Sequence, residues 1–585
     1  MIRPFAKCNQ DKRAKRSQQG SIAIFAAISI SLVVVCLASL DIGNHFWKQR
    51  EIQRIADAAA LAGSQRLGEG CIAAQEAAQS LIDQYSPKAT IFKADCGYWS
   101  PTEEGSFGQL GGSGLKGNPK DHFSQKEGVP LNALKITAKL EFSKWFPLGS
   151  DEASPAVAAE AIGYHEPIAG FSLGTGVAAV NGGVVNTLLS GLLGVKVDVV
   201  SYSGLANASL NLLDLAVATK AGSIEKLLST QVTTKELIVA MIEALGTDVA
   251  AIRILRKIAN ATSSTPTPVL NSVKLSVSDI LKINSPMAEA AASAQVNAFE
   301  MLLISAQIAN GKNAVNLATG IDLGIIAKVD LKLSIIEPPF IAIGPAGKIS
   351  NKWITEARSA QVRLLIDSKI LNLPNNPVIE LTALKLPINI QAAPGKAWLS
   401  SINCAAPVAD SVVQIGSAPG VALACIAEST NLDPELKICN APATIAGVRL
   451  LGIGLIDIKA MTVLGAQTPE HQSKDLFFDG VIGNSDDTQR TSTSASTALN
   501  ETLKSALSGL KLEACVPLIC ISSSAVTKIL DNLNGGIIAP LLGTPTSPGL
   551  ISTLIQPLLE LLGVQLGYSD IHHQSLTCRN SELVF

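Results

Sequence analysis

The chain has 585 residues, of which 47% are hydrophobic, 16% are charged and 4% are aromatic, with a mean hydropathy of +0.32. Soluble proteins usually contain about 25% charged residues, so this composition favours a chain with membrane or extensively buried segments. Six of the 46 basic residues and one of the 48 acidic residues lie in the first 16 positions, which leaves the remainder net acidic. A broad basic surface for nucleic acid is therefore excluded.

Residues 20–40 are the most distinctive stretch, because they contain no charged side chain over 21 positions. As a helix they would span roughly 30 Å, the thickness of the hydrocarbon core of a bilayer. The basic tail in front predicts a cytoplasmic N-terminus and an exported remainder. The alternatives are a signal peptide cleaved after Ala38 and a buried core helix. The apolar run is longer than the core of a signal peptide, which favours a retained anchor.

Eight of the ten cysteines fall in the region predicted to be exported, since Cys8 lies in the basic tail and Cys36 in the apolar helix. An even number of cysteines in an oxidising compartment predicts disulfides. Two of the eight, Cys71 and Cys96, are far from the others in sequence and are expected to pair. The other six leave fifteen pairings open, and they are Cys404, Cys425, Cys439, Cys515, Cys520 and Cys578.

The spacing of two of these cysteines carries a further expectation. Within a single strand, Cys515 and Cys520 would lie on opposite faces of the sheet. They would then pair with other cysteines, unless Pro517 turns the chain between them.

Residues 41–67 are predicted to form a second helix, since they contain no proline and end just before Gly68. Small and aliphatic side chains recur on one of its faces at helical spacing. Such a face allows another helix to approach closely. It is therefore a candidate surface for docking other membrane-anchored proteins, formed by Ile52, Ala56, Ala59, Ala60 and Gly63. The alternative is an ordinary amphipathic helix that packs on its own domain.

The remaining sequence predicts a mixture of helices and strands. Residues 134–142 alternate apolar and polar side chains, as in a strand with one buried face. Thr233 and Glu236 form a capping box at a helix start, and a Ser-Pro pair is expected to open a helix over 285–311. Residues 320–400 show mainly strand patterns.

The predicted fold class is a single N-terminal transmembrane helix followed by a mixed α+β, disulfide-containing extracytoplasmic region. The predicted segments are a basic cytoplasmic tail (1–19), the transmembrane helix (20–40), the small-residue helix (41–67), a first α+β region (68–168), a helix-rich region (169–319), a strand-rich region (320–482), and a C-terminal linker with helices and strands (483–585).

Three short patterns have possible chemical meaning. Gly170 to Gly174 match G-x-S-x-G, in which Ser172 would be the nucleophile of a serine hydrolase. That chemistry needs a strand, a strained turn and a helix, and the sequence after Ser172 is a poor helix start. A formal GxGxxG at 112–117 has no strand before it and predicts a flexible linker. His572 and His573 are adjacent, so a strand would direct them to opposite faces and a shared metal is not expected.

The N-terminal motifs resemble those of the Tad (tight adherence, Flp pilus) assembly proteins of the TadE/TadG type. The matching residues are Arg16 and Gly20, the apolar run, Asp41 and Gly43, and the string Gln53, Asp57, Ala58, Ala59, Ala60, Leu61 and Ala62. True pilins have Glu five residues after the glycine, where this chain has Phe25, so the resemblance favours the TadG-like branch. Strings such as FSLGTGVAAVN, NTLLSGLLG and IIEPPFIAIGPAGK extend the resemblance to the extracytoplasmic region.

The resemblance implies a non-catalytic role in the assembly or anchoring of Tad/Flp-type pili. It implies a bacterial inner-membrane protein with a cytoplasmic N-terminus and a periplasmic C-terminal region. The expected partners are the membrane and other Tad or envelope proteins, with no cofactor, no metal and no nucleic acid. The Asp-x-Ser-x-Ser metal-site signature of some TadG proteins is missing from the sequence. The alternatives are a serine hydrolase using Ser172 and a periplasmic carrier of apolar ligands.

Overall fold

The computed structural model describes residues 18–85, 89–99, 122–125, 131–143, 156–174, 182–265, 268–284, 288–311, 315–318, 326–349, 351–370, 379–381, 384–392, 394–405, 407–420, 422–428, 441–450, 453–465, 473–491, 511–516, 519–521, 543–544, 547–548, 556–562, 568–578 and 581–585. The sequence predictions for Cys8, Cys439 and the GxGxxG at 112–117 lie outside the described residues.

Helix α1 (Gln18–Ser64) is one uninterrupted helix that covers both the predicted transmembrane helix and the predicted small-residue helix. The side chains of residues 22–36 are exposed, and none of the apolar window is buried. Among the described residues, α1 is the helix that is long and apolar enough to cross a membrane. A run of exposed aliphatic side chains is unfavourable in water, and a bilayer would remove that cost.

The second half of α1 packs with α2 (Cys71–Tyr85) on a five-stranded sheet, and we call this assembly the N-terminal unit. The strand order is β2–β1–β3–β4–β32. Burial alternates along β3, which confirms the strand predicted at 134–142. The strands are β1 (Ala89–Trp99), β2 (Phe123–Ser124), β3 (Ala133–Glu141), β4 (Ala156–His165) and β32 (Ser581–Leu583).

Strand β32 comes from the end of the chain and occupies the edge of this sheet beside β4. His165 and Ser581 are register partners although 416 residues separate them, and the ring Nδ1 lies 2.8 Å from the serine Oγ. Val584 packs on a cluster formed by Trp99, Ala133, Ile162 and Tyr164. The N-terminal unit is therefore completed by residues 581–585.

The same two chain segments continue side by side into the next sheet. Strand β5 (Ile168–Leu173) follows β4 after two residues, and it pairs with β31 (Asp570–Thr577) just as β4 pairs with β32. A two-stranded ribbon therefore joins the N-terminal unit to the rest of the protein.

Residues 182–311 form a helical unit, and most of its short strands pair with one another. The Thr233 side chain accepts a hydrogen bond from the Glu236 N–H, which confirms the predicted capping box. The elements are α3 (Gly182–Leu193), α4 (Ser203–Ala206), β6 (Ser209–Asn211), α5 (Leu212–Ala218), α6 (Ile224–Ser229), β7 (Gln231–Thr233), α7 (Thr234–Ala244), α8 (Val249–Ala259), α9 (Val269–Ser272), β8 (Lys274–Ser276), α10 (Val277–Ile280), β9 (Leu281–Ile283), β10 (Gln295–Asn297) and α11 (Ala298–Asn310).

The predicted helix over 285–311 begins later than the sequence indicated. Helix α11 starts at Ala298, because Asn297 is its N-cap and accepts a hydrogen bond from the Glu300 N–H. The residues before the cap are extended in β10, which pairs with β6. An N-cap has non-helical backbone angles, so the helix cannot extend back through Asn297.

Two sheets form a sandwich next to the helical unit. One has the order β26–β31–β5–β13–β9 and the other β16–β20–β21–β25, and their facing side chains form one apolar cluster. The opposite face of the first sheet packs on the helical unit. The strands not yet given are β13 (Ile341–Pro345), β16 (Glu356–Arg358), β20 (Lys396–Asn403), β21 (Val412–Ala418), β25 (Lys474–Phe478) and β26 (Thr488–Arg490).

A ten-stranded sheet covers another side of the helical unit and shares its apolar core. Its strands are β11 (Val315–Ala318), β12 (Ile326–Glu337), β17 (Gln361–Ile370), β18 (Ile379–Leu381), β19 (Leu384–Ala392), β22 (Ala422–Ile426), β23 (Ala443–Leu450), β24 (Ile453–Gly465), β27 (Lys511–Val516) and β28 (Ile519–Ile521). The remaining elements are the pairs β14 (Lys348–Ile349) with β15 (Lys352–Trp353) and β29 (Gly543–Thr544) with β30 (Ser547–Pro548), and helix α12 (Gln556–Leu561). The predicted architecture, one long apolar N-terminal helix followed by mixed helical and strand regions with disulfides, is confirmed.

The contribution of β32 can be tested with Val584→Asp, which places a charge against the Trp99 cluster. Val584 is partly buried, so its burial contributes less than the roughly 1.5–3 kcal/mol of a fully buried valine. A charge at this position should nevertheless weaken the docking of the edge strand. Amide hydrogen exchange at residues 162–165 should then accelerate relative to the wild type. The control is Glu582→Ala, whose side chain is exposed and whose loss should leave exchange unchanged. Equal protection in Val584→Asp would contradict this role of the last strand.

Candidate functional site

The residues predicted to form a docking face are buried inside the N-terminal unit. Ile52, Ala56, Ala59 and Ala60 are each 0% exposed, in one cluster with side chains of α2, β3 and β4. The expectation that this face is open to other membrane-anchored proteins is therefore wrong for this conformation. The alternative, a helix packed on its own domain, describes the structure, because the chain's own sheet occupies the small-residue face.

Two glycines allow α1 to approach this closely. A Cβ atom added at Gly163 of β4 would overlap the main chain at Ala60, and one added at Gly63 would overlap the Leu134 side chain. Neither glycine has a positive φ, so space rather than backbone conformation requires them. We call this contact between α1 and β4 the α1–β4 seam.

Side chains of α1 also cap the edge of β4. The main-chain N–H and C=O groups of Ile162 point towards the segment that contains β32. Hydrogen-bonding groups alternate in direction along a strand, so those of Ala158 and Glu160 point to the same edge of β4. Their carbonyl oxygens accept hydrogen bonds from Gln49 Nε2 at 2.9 Å and Gln53 Nε2 at 3.1 Å. Unpaired strand edges invite association with other chains, so the glutamines protect the part of β4 that β32 leaves uncovered.

The most specific part of the N-terminal motif has a structural explanation here. Gln53 Nε2 also donates to Asp57 Oδ1 at 2.8 Å, so the carboxylate holds the amide towards the strand. The alanines that follow supply the small face buried in the seam. The motif therefore encodes the attachment of the helix to its sheet.

Ser172, the nucleophile of the hydrolase alternative, is 2% exposed inside strand β5. Its Oγ accepts a hydrogen bond from Gln574 Nε2 at 3.0 Å. A nucleophile elbow would place the hydroxyl on an exposed turn between a strand and a helix. The geometry of Ser172 therefore lends no support to the hydrolase alternative.

A buried carboxylate organises the polar groups around Ser172. Glu300, in the first turn of α11, is 0% exposed and its Oε1 lies 2.8 Å from His572 Nδ1. Its Oε2 accepts a hydrogen bond from the Gln574 amide, which also contacts Ser172. We call Ser172, Glu300, His572 and Gln574 the Glu300 cluster. It joins β5, β31 and α11, and among the described residues the serine hydroxyl bonds to the glutamine and not to a histidine.

The Glu300 cluster was partly visible in the sequence. Ser172 and His572 stood out by pattern, whereas Glu300 and Gln574 did not. Glu300 is the single charged residue in the apolar stretch from Ala298 to Asn310, and a lone carboxylate in such a helix is a signal for a buried polar contact.

The two adjacent histidines face opposite layers, as strand alternation predicts. Burial lowers the pKa of His572, but the negative charge of Glu300, its hydrogen bond and the charge of Asp487 outweigh burial and raise it. His572 therefore stabilises the fold at low pH, and this contribution is lost as the pH rises through the raised pKa.

His573 points into the sandwich instead, 0% exposed and 5.4 Å from the Phe478 ring between centroids. Burial and the neighbouring charge of His572 lower its pKa to about 4. Among the described residues, neither of its ring nitrogens makes a hydrogen bond of normal geometry. The Ser575 main chain and the charge of Asp479 oppose the lowered pKa only in part, so the sandwich favours the neutral ring.

The disulfides support the predicted pairing of Cys71 with Cys96 and resolve one other pair. Cys404 and Cys578 are bonded across 174 residues, which ties the end of β20 to the end of β31. Cys425 is also disulfide-bonded. Cys515 and Cys520 are register partners on the antiparallel strands β27 and β28. The chain therefore reverses between them, which was the alternative to a single strand.

Other candidate sites in the described part of the chain are limited. No group of three or more His, Cys, Asp or Glu side chains there is placed to hold a metal ion. A groove of about 670 Å³ follows the outer face of α8, and the described residues that line it are Val249, Ile252, Arg253, Arg256, Lys257 and Asn260. Three cations line this groove, so it does not resemble the apolar cavity that a carrier of apolar ligands needs.

The α1–β4 seam can be tested with Gly163→Ala. Overpacking of a close contact costs about 1–3 kcal/mol, so we expect a lower melting temperature and faster proteolysis of the second half of α1. The matched control is Gly68→Ala, where an added Cβ meets no atom within 4 Å. Equal stability of the two variants would show that the helix does not depend on the close approach.

The buried neutral state of His573 predicts a dependence on pH. Its pKa is about 4 in the folded chain and about 6.5 when unfolded, so stability is full above pH 6.5 and falls as the pH approaches 4. The loss is on the order of 3 kcal/mol. His573→Phe should weaken this acid dependence in thermal melts, whereas His45→Gln, at an exposed position, should retain it. Parallel curves for the wild type and His573→Phe would refute the assignment.

Two segments of the chain match known families. Residues 20–83 match the family described as putative Flp pilus-assembly TadE/G-like (Tad), and residues 181–309 match a domain of unknown function, DUF8293. No curated protein and no solved structure shows a significant match. The Tad segment contains the α1 side of the seam, and the second segment closely follows the helical unit. The chain thus has an N-terminal segment that matches the family of putative Flp pilus-assembly TadE/G-like (Tad) domains, ahead of a segment that matches a domain of unknown function.

Proposed function

We propose that this protein is a membrane-anchored envelope protein with a non-catalytic role in assembling or anchoring Tad/Flp-type pili. The observation that carries the proposal is the continuity of α1. Within the segment that matches the Tad family, one helix has a bare apolar half and a second half buried in a folded unit. Such a helix would hold the first folded unit at a fixed distance from the bilayer, because no flexible linker separates the two halves.

The anchor is proposed to be a single pass through the bacterial inner membrane. The basic residues before Gly20 favour a cytoplasmic N-terminus. The disulfides Cys71–Cys96 and Cys404–Cys578 suit the oxidising periplasm on the other side. Both features point to the same orientation.

The mechanism is proposed to be binding and positioning of other envelope components. The pilus-assembly family suggests partners of this class. The small-residue face of α1 is occupied by the protein's own sheet, so partners would contact other surfaces. Ser172, which the hydrolase alternative requires as its nucleophile, is buried. This position favours a structural role for the side chain.

The test is complementation of a strain that lacks the gene, with surface fibres counted by electron microscopy and adherence measured alongside. We expect the deletion to remove both. Wild type and Ser172→Ala should restore them. Ile30→Arg should fail, because a charge at the centre of a membrane helix costs about 2.5–3.5 kcal/mol. Val200→Arg is the matched control and should restore fibres and adherence, since Val200 is 89% exposed on the helical unit.

Unchanged fibres and adherence in the deletion strain would overturn the pilus role. Failure of Ser172→Ala at normal protein levels would instead favour chemistry at Ser172. Full function of Ile30→Arg would contradict anchoring by α1.

A further inference from the structure

The first turns of α1 beyond the apolar window carry large exposed side chains that the N-terminal unit leaves uncovered. Ile42, Phe46 and Trp47 are 58%, 66% and 65% exposed. Soluble surfaces seldom display two adjacent aromatic residues this fully. Ile42, Phe46 and Arg50 are spaced four residues apart, so they share one side of the helix.

The other side of the same helical turns contacts the N-terminal unit. Asn44 Nδ2 donates to the Ser143 carbonyl at 3.4 Å, and the His45 ring lies 5.8 Å from the Phe142 ring between centroids. Both contacts involve the end of strand β3. At this level of α1, one side packs on protein and the opposite side is bare and apolar.

The distance from the apolar window matches the interface of a bilayer. Trp47 is seven residues beyond Leu40, which corresponds to about 10 Å along a helix. Helical side chains point back towards the N-terminus, so its ring lies closer to the apolar window than its Cα. The headgroup layer is about 5–7 Å thick on each side of the hydrocarbon core, and tryptophan is enriched there.

The charge next to these side chains fits the same environment. Arg50 is exposed and has no ion pair among the described residues. It is one turn beyond Phe46, and a long basic side chain can reach back towards lipid phosphates. Along this side of the helix, apolar side chains are followed by aromatic ones and then by a basic one. This order matches the layers of a bilayer from the hydrocarbon core through the interface to the lipid phosphates.

We infer that Ile42, Phe46, Trp47 and Arg50 form a lipid-contact surface that lies in the headgroup layer of the periplasmic leaflet. The partner is the phospholipid bilayer itself. The N-terminal unit then rests directly on the membrane, with the end of β3 at Ser143 towards the lipid. This inference rests on the proposed anchoring function and adds the height and orientation of the first folded unit.

The test uses the full chain in phospholipid nanodiscs and the fluorescence of individual tryptophans. The emission of Trp47 is obtained as the difference between the wild type and Trp47→Phe. Lipids brominated near the headgroup or near the acyl-chain end then report its depth. Ile28→Trp in the Trp47→Phe background reports the proposed hydrocarbon core, and Val200→Trp in the same background is the water-exposed control.

We expect Trp47 emission to be blue-shifted and quenched more by bromine near the headgroup than by bromine near the chain end. Ile28→Trp should show the reverse preference, and Val200→Trp should show no quenching. Quenching at Ile28→Trp without quenching at Trp47 would overturn the inference and leave anchoring intact. Absence of quenching at both positions would overturn anchoring as well. Strong quenching of Trp47 by the chain-end lipid alone would place the residue in the core and also refute the headgroup assignment.

Discussion

The close approach between α1 and β4 makes a structural demand on the second half of the helix. That half must present a face small enough for the main chain of a sheet to approach. Ala60 and Gly163 meet this demand, because any larger side chain between them would separate helix and strand. The glutamines of the helix then satisfy carbonyl groups in the part of β4 that β32 does not cover. The Tad motif is thus explained by packing rather than by chemistry.

Between the helical unit and the sandwich, polar groups that are buried with their partners link the layers. The Glu300 cluster links the helical unit to the sandwich through a carboxylate, a histidine and a glutamine amide. A buried carboxylate without such partners would cost several kcal/mol. On the other face of the same strand, His573 is kept neutral among apolar side chains. Neighbouring histidines therefore respond to pH in opposite directions, because one faces a charge and the other faces a hydrophobic core.

The sequence predicted features that depend on local pattern or on composition. The long apolar helix, the Cys71–Cys96 pair, strand β3 and the Thr233 capping box all follow from neighbouring residues or simple spacing. What covers a helix face cannot be inferred from spacing, so the sequence leaves the small-residue face open between docking of another protein and packing on its own domain. The structure buries this face in the interior. The start of α11 depends on Asn297 pairing in β10 with a distant strand. The Cys404–Cys578 bond joins segments 174 residues apart and the Glu300–His572 contact joins segments 272 residues apart, which a single sequence does not connect.

The pairing of β32 with β4 has a consequence for how the N-terminal unit folds. The residues of α1 are synthesised far ahead of β32, yet the sheet on which they pack lacks this edge strand until residues 581–585 are available. Contacts between segments so distant in sequence form slowly, so the part of β4 that β32 covers stays open during folding, when strand edges are most prone to wrong partners. A product truncated before β32 would keep α1 and still present that open edge. Residues 581–585 therefore close the sheet of the N-terminal unit late in folding.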